Sequence, residues 1–406
     1  MMQNELSIKA KIGQFAIYLL IIGVTLIAFP SNGITYLMVR CAQALELLVL
    51  GILVLPKIQQ IIKFDKFNLL VIGWWLCYIL NTFLHPTDVG ITPVFMLMNV
   101  LILLLLGTKY WTQDIRSSLK GLIYIFSALV YINAILLILY PEGLWIDPEW
   151  VGRGNPARYL FGNQNQTGFV CFMTIAMQCI YTVAYNEGRS NLILLIIISL
   201  TTVLFLGSMT SAVGIFLMTA YIVCHRFFQK PKIWLIVFAA LYTLMFIFII
   251  WYGNDIEHIK WATIFIEDTL SKDTTFSNRT IIWANAVDLI KESPLTGYGI
   301  QNTEWNDEHL EGSGAHNLIV MLLLNGGLVF CLTFVFLVVY AVREALSVHS
   351  KVTTTAMMSL CVLFVMAFFE AYNIIYFFLY LQIVYYSSSI HKQIEESEQT
   401  IVSSNE

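Results

Sequence analysis

Two side chains in the C-terminal third of the chain carry the chemistry of anion binding and proton transfer. Arg279 stands in Ser277-Asn278-Arg279-Thr280-Ile281-Ile282-Trp283, and a guanidinium fork can grip a phosphate in bidentate fashion. His316 stands in Gly314-Ala315-His316-Asn317, and an imidazole titrates where a general base is useful near neutrality. The plainer alternatives are that Arg279 pairs with a nearby acid and that His316 caps or packs. Between them lies Pro294-Leu295-Thr296-Gly297-Tyr298-Gly299, whose glycines permit tight turns and close backbone approach to a ligand, or mark an ordinary surface loop. Further upstream, Pro141 to Asn165 brings Trp145, Asp147, Glu149, Trp150, Arg153, Arg158, Asn163 and Asn165 together. Rings with acids and amides suit sugar binding, and they equally suit a membrane-interface belt. Arg158 is a second candidate for holding an anion.

The elements that position these residues are dictated by composition. The chain is 58% hydrophobic and 12% charged, with mean hydropathy +0.75, which would leave far too much apolar surface in water for a soluble globule. Twelve apolar runs are long enough to span a bilayer, at about 12–29, 34–55, 67–84, 91–107, 120–140, 164–185, 191–207, 211–225, 233–252, 316–341, 353–370 and 373–389. With both termini cytoplasmic, fifteen of the 22 Lys and Arg residues fall on inner connections, the distribution that the positive-inside rule requires. The expected fold is therefore an all-α integral membrane protein of about twelve transmembrane helices. It divides into a membrane part over 1–252, a large extracytoplasmic loop over 253–315, a second membrane part over 316–389 and a cytoplasmic tail over 390–406. The first span reads as a signal anchor in the bacterial cytoplasmic membrane.

The long loop holds eleven acids against four cations, so nucleic acid is not an expected partner. Within it, Arg279 to Glu292 reads as a short interfacial helix capped by Ser277 or Asn278, with Ile282, Ala286, Leu289 and Ile290 on one face and Ser293-Pro294 as its stop. Inside the hydrocarbon, Arg40, Glu46 and Glu370 are costly unless paired. Glu370 suits an arginine partner or a catalytic carboxylate, the structural ion pair being the plainer role. The seven cysteines lie in or beside spans without ligand spacing. No nucleotide or metal motif is found, so no cofactor or metal is expected.

Taken in order, these motifs resemble the O-antigen ligase and O-antigen polymerase superfamily of bacterial envelope polysaccharide enzymes. The matching elements are Arg279-Thr280-Ile281-Ile282-Trp283, Pro294-Leu295-Thr296-Gly297-Tyr298-Gly299, Ala315-His316-Asn317 with Leu324-Asn325-Gly326-Gly327, and Arg158-Tyr159-Leu160-Phe161-Gly162-Asn163-Gln164-Asn165. The resemblance implies transfer of a glycan from undecaprenyl pyrophosphate to an acceptor hydroxyl, as a polysaccharide polymerase or as a ligase moving a finished glycan. His316 and Arg279 would be catalytic. Arg158, Arg153, Asn163, Asn165, Tyr298, Asn317 and Trp283 would contact substrate. A flippase and a chain-length regulator would be partners, besides membrane lipid. Where many members carry Ser-Arg-Gly, this chain has Thr210-Ser211-Ala212-Val213-Gly214, so Arg153 or Arg40 takes the place of the missing arginine, or the substrate is held differently. A transporter or flippase is the alternative from another class. It would show repeated halves with polarity at the midplane, which the sequence lacks.

Overall fold

The structure, a computed structural model, describes residue 28, parts of 37–57, and residues 66–85, 92–105, 115–151, 155–252 and 279–405. The first span apart from residue 28, half of the second including Arg40 and Glu46, Arg153 and the loop segment 253–278 lie outside the described residues. The helices are α1 (Lys66–Leu84), α2 (Thr92–Leu105), α3 (Ile115–Leu139), α4 (Gln164–Tyr185), α5 (Arg189–Phe205), α6 (Met209–Cys224) and α7 (Pro231–Met245). They continue with α8 (Arg279–Glu292), α9 (Thr303–Leu310), α10 (Leu318–Leu346), α11 (Lys351–Phe369) and α12 (Ile374–Asn405). The expected runs from 67–84 onward each fall on a helix. By length and composition alone, seven helices among the described residues are long and apolar enough to cross a membrane, and α5 is a shorter apolar helix.

Burial separates the interior helices from the outer ones. The apolar windows of α4 and α11 are 83% and 78% buried, whereas only 6% of the window over Pro231–Trp251 is buried. This helix packs on α11 through Tyr242, against Phe364 and Phe368, and leaves most of its apolar surface uncovered, which suits a hydrocarbon solvent where its backbone is satisfied internally. α7 begins with Pro231 at its first turn and passes into a π-helical stretch at Phe246–Trp251. Inside the bundle, α4 packs on α3, α5, α6 and α11, while α10 packs on α1 and α12. Close approach is built from small residues. A Cβ on Gly168 of α4 would overlap the Ser211 side chain of α6, and one on Gly214 of α6 would overlap Met366 of α11.

Three features depart from the expected plan. The chain between α3 and α4 forms a two-stranded antiparallel hairpin, β1 (Trp145–Ile146) with β2 (Ala157–Arg158), pairing Trp145 with Arg158 and Ile146 with Ala157. The expected cytoplasmic tail continues the last span as one helix, because no Gly or Pro interrupts Ile374–Asn405 and His391 pairs with Glu395 one turn on, at 3.1 Å. α10 is broken at Gly327, whose φ of 63° and ψ of −163° leave helical space.

That break receives the Pro294–Gly299 segment. Tyr298 N–H donates to Leu324 O at 2.7 Å, Gly299 N–H to Asn325 O at 3.0 Å, and Leu328 N–H to Pro294 O at 2.8 Å. Asn81 Nδ2 of α1 donates to Thr296 O and Asn325 O, at 3.2 and 2.8 Å. A Cβ on Gly297 would meet Leu324 O, and one on Gly327 would meet the Leu295 carbonyl. The glycines thus serve close approach between two backbones. The carbonyls freed by the helix break are satisfied by the loop, as a membrane interior demands.

Candidate active site

α8 forms where expected, with Ile282, Trp283, Ala286, Val287 and Ile290 buried and Leu289 only partly so. Its first residue, Arg279, turns back to the end of α11. Nη1 donates to Phe369 O, and Nη2 lies 3.1 Å from Glu370 Oε2. The acid that pairs with Arg279 therefore comes from outside the long loop.

Glu370 ends α11 in extended backbone, φ −150° and ψ 136°, and is buried at 7% exposure. Its two oxygens gather three more elements. Oε1 lies 3.0 Å from His316 Nδ1, and Oε2 also accepts from Asn165 Nδ2 of α4 at 2.6 Å. Asn165 Oδ1 accepts from Ser208 Oγ at 3.0 Å, and Ser208 Oγ, its one proton so spent, can accept from Ser211 Oγ, 2.9 Å away at the start of α6. Arg279, His316 and Asn165 are thus brought to one carboxylate. Near the position of the arginine that many members carry, this chain instead supplies hydroxyls that hold Asn165.

His316 adopts φ +47°, a left-handed conformation uncommon outside glycine and costing on the order of 1–3 kcal/mol. The turn lets Asn317 follow as the N-cap of α10, its Oδ1 accepting from Val320 N–H at 2.9 Å while Nδ2 donates to Phe368 O at 2.8 Å. Trp283 Nε1 donates to Ala315 O at 2.9 Å, fixing the residue before His316. With Nδ1–H donated to Glu370, the imidazole keeps Nε2 as a proton acceptor.

Five of the remaining expected contacts have structural partners. Asn163 caps α4 through Gln166 N–H at 2.9 Å, and Asn317 and Trp283 are fully buried in the bonds just described. Tyr298 Oη donates to Leu289 O at 3.0 Å, and burial with Glu292 nearby raises its pKa, so the phenol stays protonated near neutrality. Arg158 remains within its own segment, 3.0 Å from Asp147, bonded to Asn155 O and Ala157 O and over the Trp150 ring at 5.1 Å. The residue whose central role was least legible is Glu370. An acid at the end of an apolar run was its only signal.

Beside the cluster is a cavity of about 440 Å³, bordered by Ala315 and by Ala371-Tyr372-Asn373. Asn99, Gln301, Asn306, Asn325 and Asn373 supply amides to its wall, and Trp75, Tyr78 and Trp305 supply rings. No charged side chain lines it among the described residues. Burial, with the Glu370 carboxylate beside it, pushes the Tyr372 phenol well above its ordinary pKa, leaving a hydrogen-bond donor rather than a base. Among the described residues no group of three or more His, Cys, Asp or Glu could hold a metal ion.

Fold and site together define a multi-pass helical membrane protein with a histidine, arginine and carboxylate cluster at one end of its bundle. Residues 194–335 match the family model described as O-antigen ligase, Wzy_C, a match consistent with the O-antigen ligase and polymerase superfamily. The match begins within α5, takes in α6 to α9 and reaches into α10, so Arg279 and His316 lie inside it and Asn165 and Glu370 outside. No curated protein matches the chain.

Proposed function

We propose that the protein polymerises glycan repeat units carried on undecaprenyl pyrophosphate, transferring them to an acceptor glycan hydroxyl at the outer face of the bacterial cytoplasmic membrane. The observation that carries this reading is the Glu370 carboxylate joining Arg279, His316 and Asn165 from separate elements beside an amide- and ring-lined cavity. His316 Nε2 takes the proton of the acceptor hydroxyl as that oxygen attacks the donor sugar carbon. The bond from that carbon to pyrophosphate breaks, and the leaving oxygen takes the electron pair. Arg279 faces the departing pyrophosphate with the N–H groups it does not spend on Phe369 and Glu370. Glu370 orients the imidazole and balances the imidazolium that forms. Since Glu370 already offsets one positive charge, Arg153 or Arg40 supplies further charge for the dianion.

His316→Ala removes a base worth about 10²- to 10⁴-fold in rate, and cells carrying it should accumulate single lipid-linked repeats with no long chains. Arg279→Lys should lose most turnover despite keeping its charge, because an ammonium cannot reproduce the planar fork. Full polymer yield from either variant, at equal membrane levels, would return both residues to structural roles. The description of the matched family as a ligase supports a second reading. In that case the His316→Ala cells accumulate long glycans still attached to undecaprenyl pyrophosphate.

A further inference from the structure

At the end of the bundle opposite Glu370 lies a second cavity, of about 810 Å³. α4 and α11 reach it with their other ends: α11 begins at Lys351 in its wall, and its 19 residues put Glu370 about 28 Å away. Its wall carries Arg189, Arg226 and Lys351 together with His225 and His349, and no acid among the described residues. None of these three cations forms an ion pair among the described residues. The carboxylate adjacent in sequence, Glu187, is engaged by Arg116 at 2.6 Å and Lys120 at 3.7 Å on α3. Among the described residues, the Arg189 guanidinium bonds the neutral Asn186 amide, at 2.6 Å.

Two helix N-termini add to this field. α5 starts at Arg189 behind Gly188, which offers no side-chain cap, so the partial positive charge of its first turn is not offset by a capping side chain. α11 starts at Lys351, with Ser350 capping only Thr353 N–H. Val183, Ile222 and Phe228 add apolar surface to a wall that otherwise carries hydroxyls and amides, Thr182, Asn186, Gln229 and Thr354 among them. Positive charge beside apolar surface at the end of a membrane bundle matches a ligand with a phosphate at one end and acyl chains at the other.

We propose that this cavity binds the phosphate headgroup of an anionic membrane lipid, with the acyl chains along Val183, Ile222 and Phe228. The binding is independent of the transfer reaction at the other end. Native mass spectrometry of the detergent-purified full chain, with phosphatidylglycerol, cardiolipin or phosphatidylcholine added, tests it. The wild type should retain the two anionic lipids and not phosphatidylcholine. The triple variant Arg189→Gln, Arg226→Gln, Lys351→Gln should retain them on the order of 100-fold more weakly, from roughly fivefold per cation. A control triple variant, Lys232→Gln, Arg343→Gln, Lys392→Gln, removes as much charge outside the cavity and should bind as the wild type does. If the triple variant fails to fold, the single variants should each show the fivefold step. Inorganic pyrophosphate, added in a parallel thermal-shift assay, should stabilise the wild type and the cavity triple variant equally, through the Arg279 end alone, and pyrophosphate stabilisation that is lost in the cavity variant, without lipid retention by the wild type, would overturn the lipid assignment. Equal retention by the cavity variant and the control, or equal retention of phosphatidylcholine, would overturn the site itself.

Discussion

Glu370 is bonded to an arginine, a histidine and an asparagine at once, so a change there acts on all three. Glu370→Gln keeps the volume and one acceptor but removes the charge. It leaves Arg279, 20% exposed at its side chain, facing a neutral amide, which should cost about 1–3 kcal/mol in thermal stability. Its larger effect should be on kcat, since the imidazolium loses its counter-charge while the cavity wall is unaltered. A lipid-linked donor assay in which KM rises and kcat does not would show that Glu370 serves binding instead. Arg279 and His316 were singled out by the ordered motifs in which they stand, since pairing with an acid and capping a helix were the plainer uses of each side chain alone. Glu370 was harder to rank because its partners stand 54 and 91 residues away in sequence, and spacing along a chain carries no such proximity. Asn163, Trp283 and Asn317 sit in the same motifs yet spend their polar atoms on backbone groups. A motif read from sequence does not separate residues that touch substrate from those that hold the backbone in place.

The helices themselves were legible from apolar runs and terminal signals. α8 begins at Arg279 and stops before Ser293-Pro294, and Asn317 caps α10. What the runs did not convey was the break within α10, because a membrane helix tolerates Gly326-Gly327 without losing hydropathy. Nor did they show that the Gly297 and Gly299 turn fills that break rather than approaching a ligand. The clasp gives a prediction at this scale. Gly327→Ala and Gly297→Ala each place a Cβ at positive φ, +63° and +62°, against partner backbone. Each should lower stability by at least about 1–2 kcal/mol from the left-handed conformation alone. Thermal unfolding in detergent reads the loss, and activity should fall with it because α10 carries His316 at its entrance. Gly51 and Gly73 have nothing within 4 Å of an added Cβ, so Gly73→Ala in α1 is the control. If Gly327→Ala melts with Gly73→Ala and the wild type, the clasp does not set the stability of this region.

At the scale of the whole molecule, the antiparallel course of α4 and α11 sorts the chemistry to two ends. Asn165 at the start of α4 and Glu370 just past α11 meet at one end, while Asn186 past α4 and Lys351 opening α11 border the same cavity at the other. The first end holds the cluster with α9 and its Asp307 on the nearby loop, and the second holds Arg189, Arg226 and Lys351. On the proposed reading, the positive-inside rule puts the second end in the cytoplasm and the histidine and arginine cluster outside, where the proposed lipid-linked donor would be presented. In a cysteine-free background, Asp307→Cys and Trp150→Cys should therefore react with a membrane-impermeant maleimide added to intact spheroplasts. Arg226→Cys and a cysteine at Glu396 should react only after permeabilisation. The pair Asp307 and Arg226 is the decisive one, since the fold puts them on opposite ends whatever the count of spans in the first 65 residues. Labelling of both from the same side would contradict the bundle itself. Labelling of Arg226 alone in intact spheroplasts would keep the bundle but invert it, placing the cluster on the side where nucleotide-activated donors are found and removing the reason for a lipid pyrophosphate leaving group.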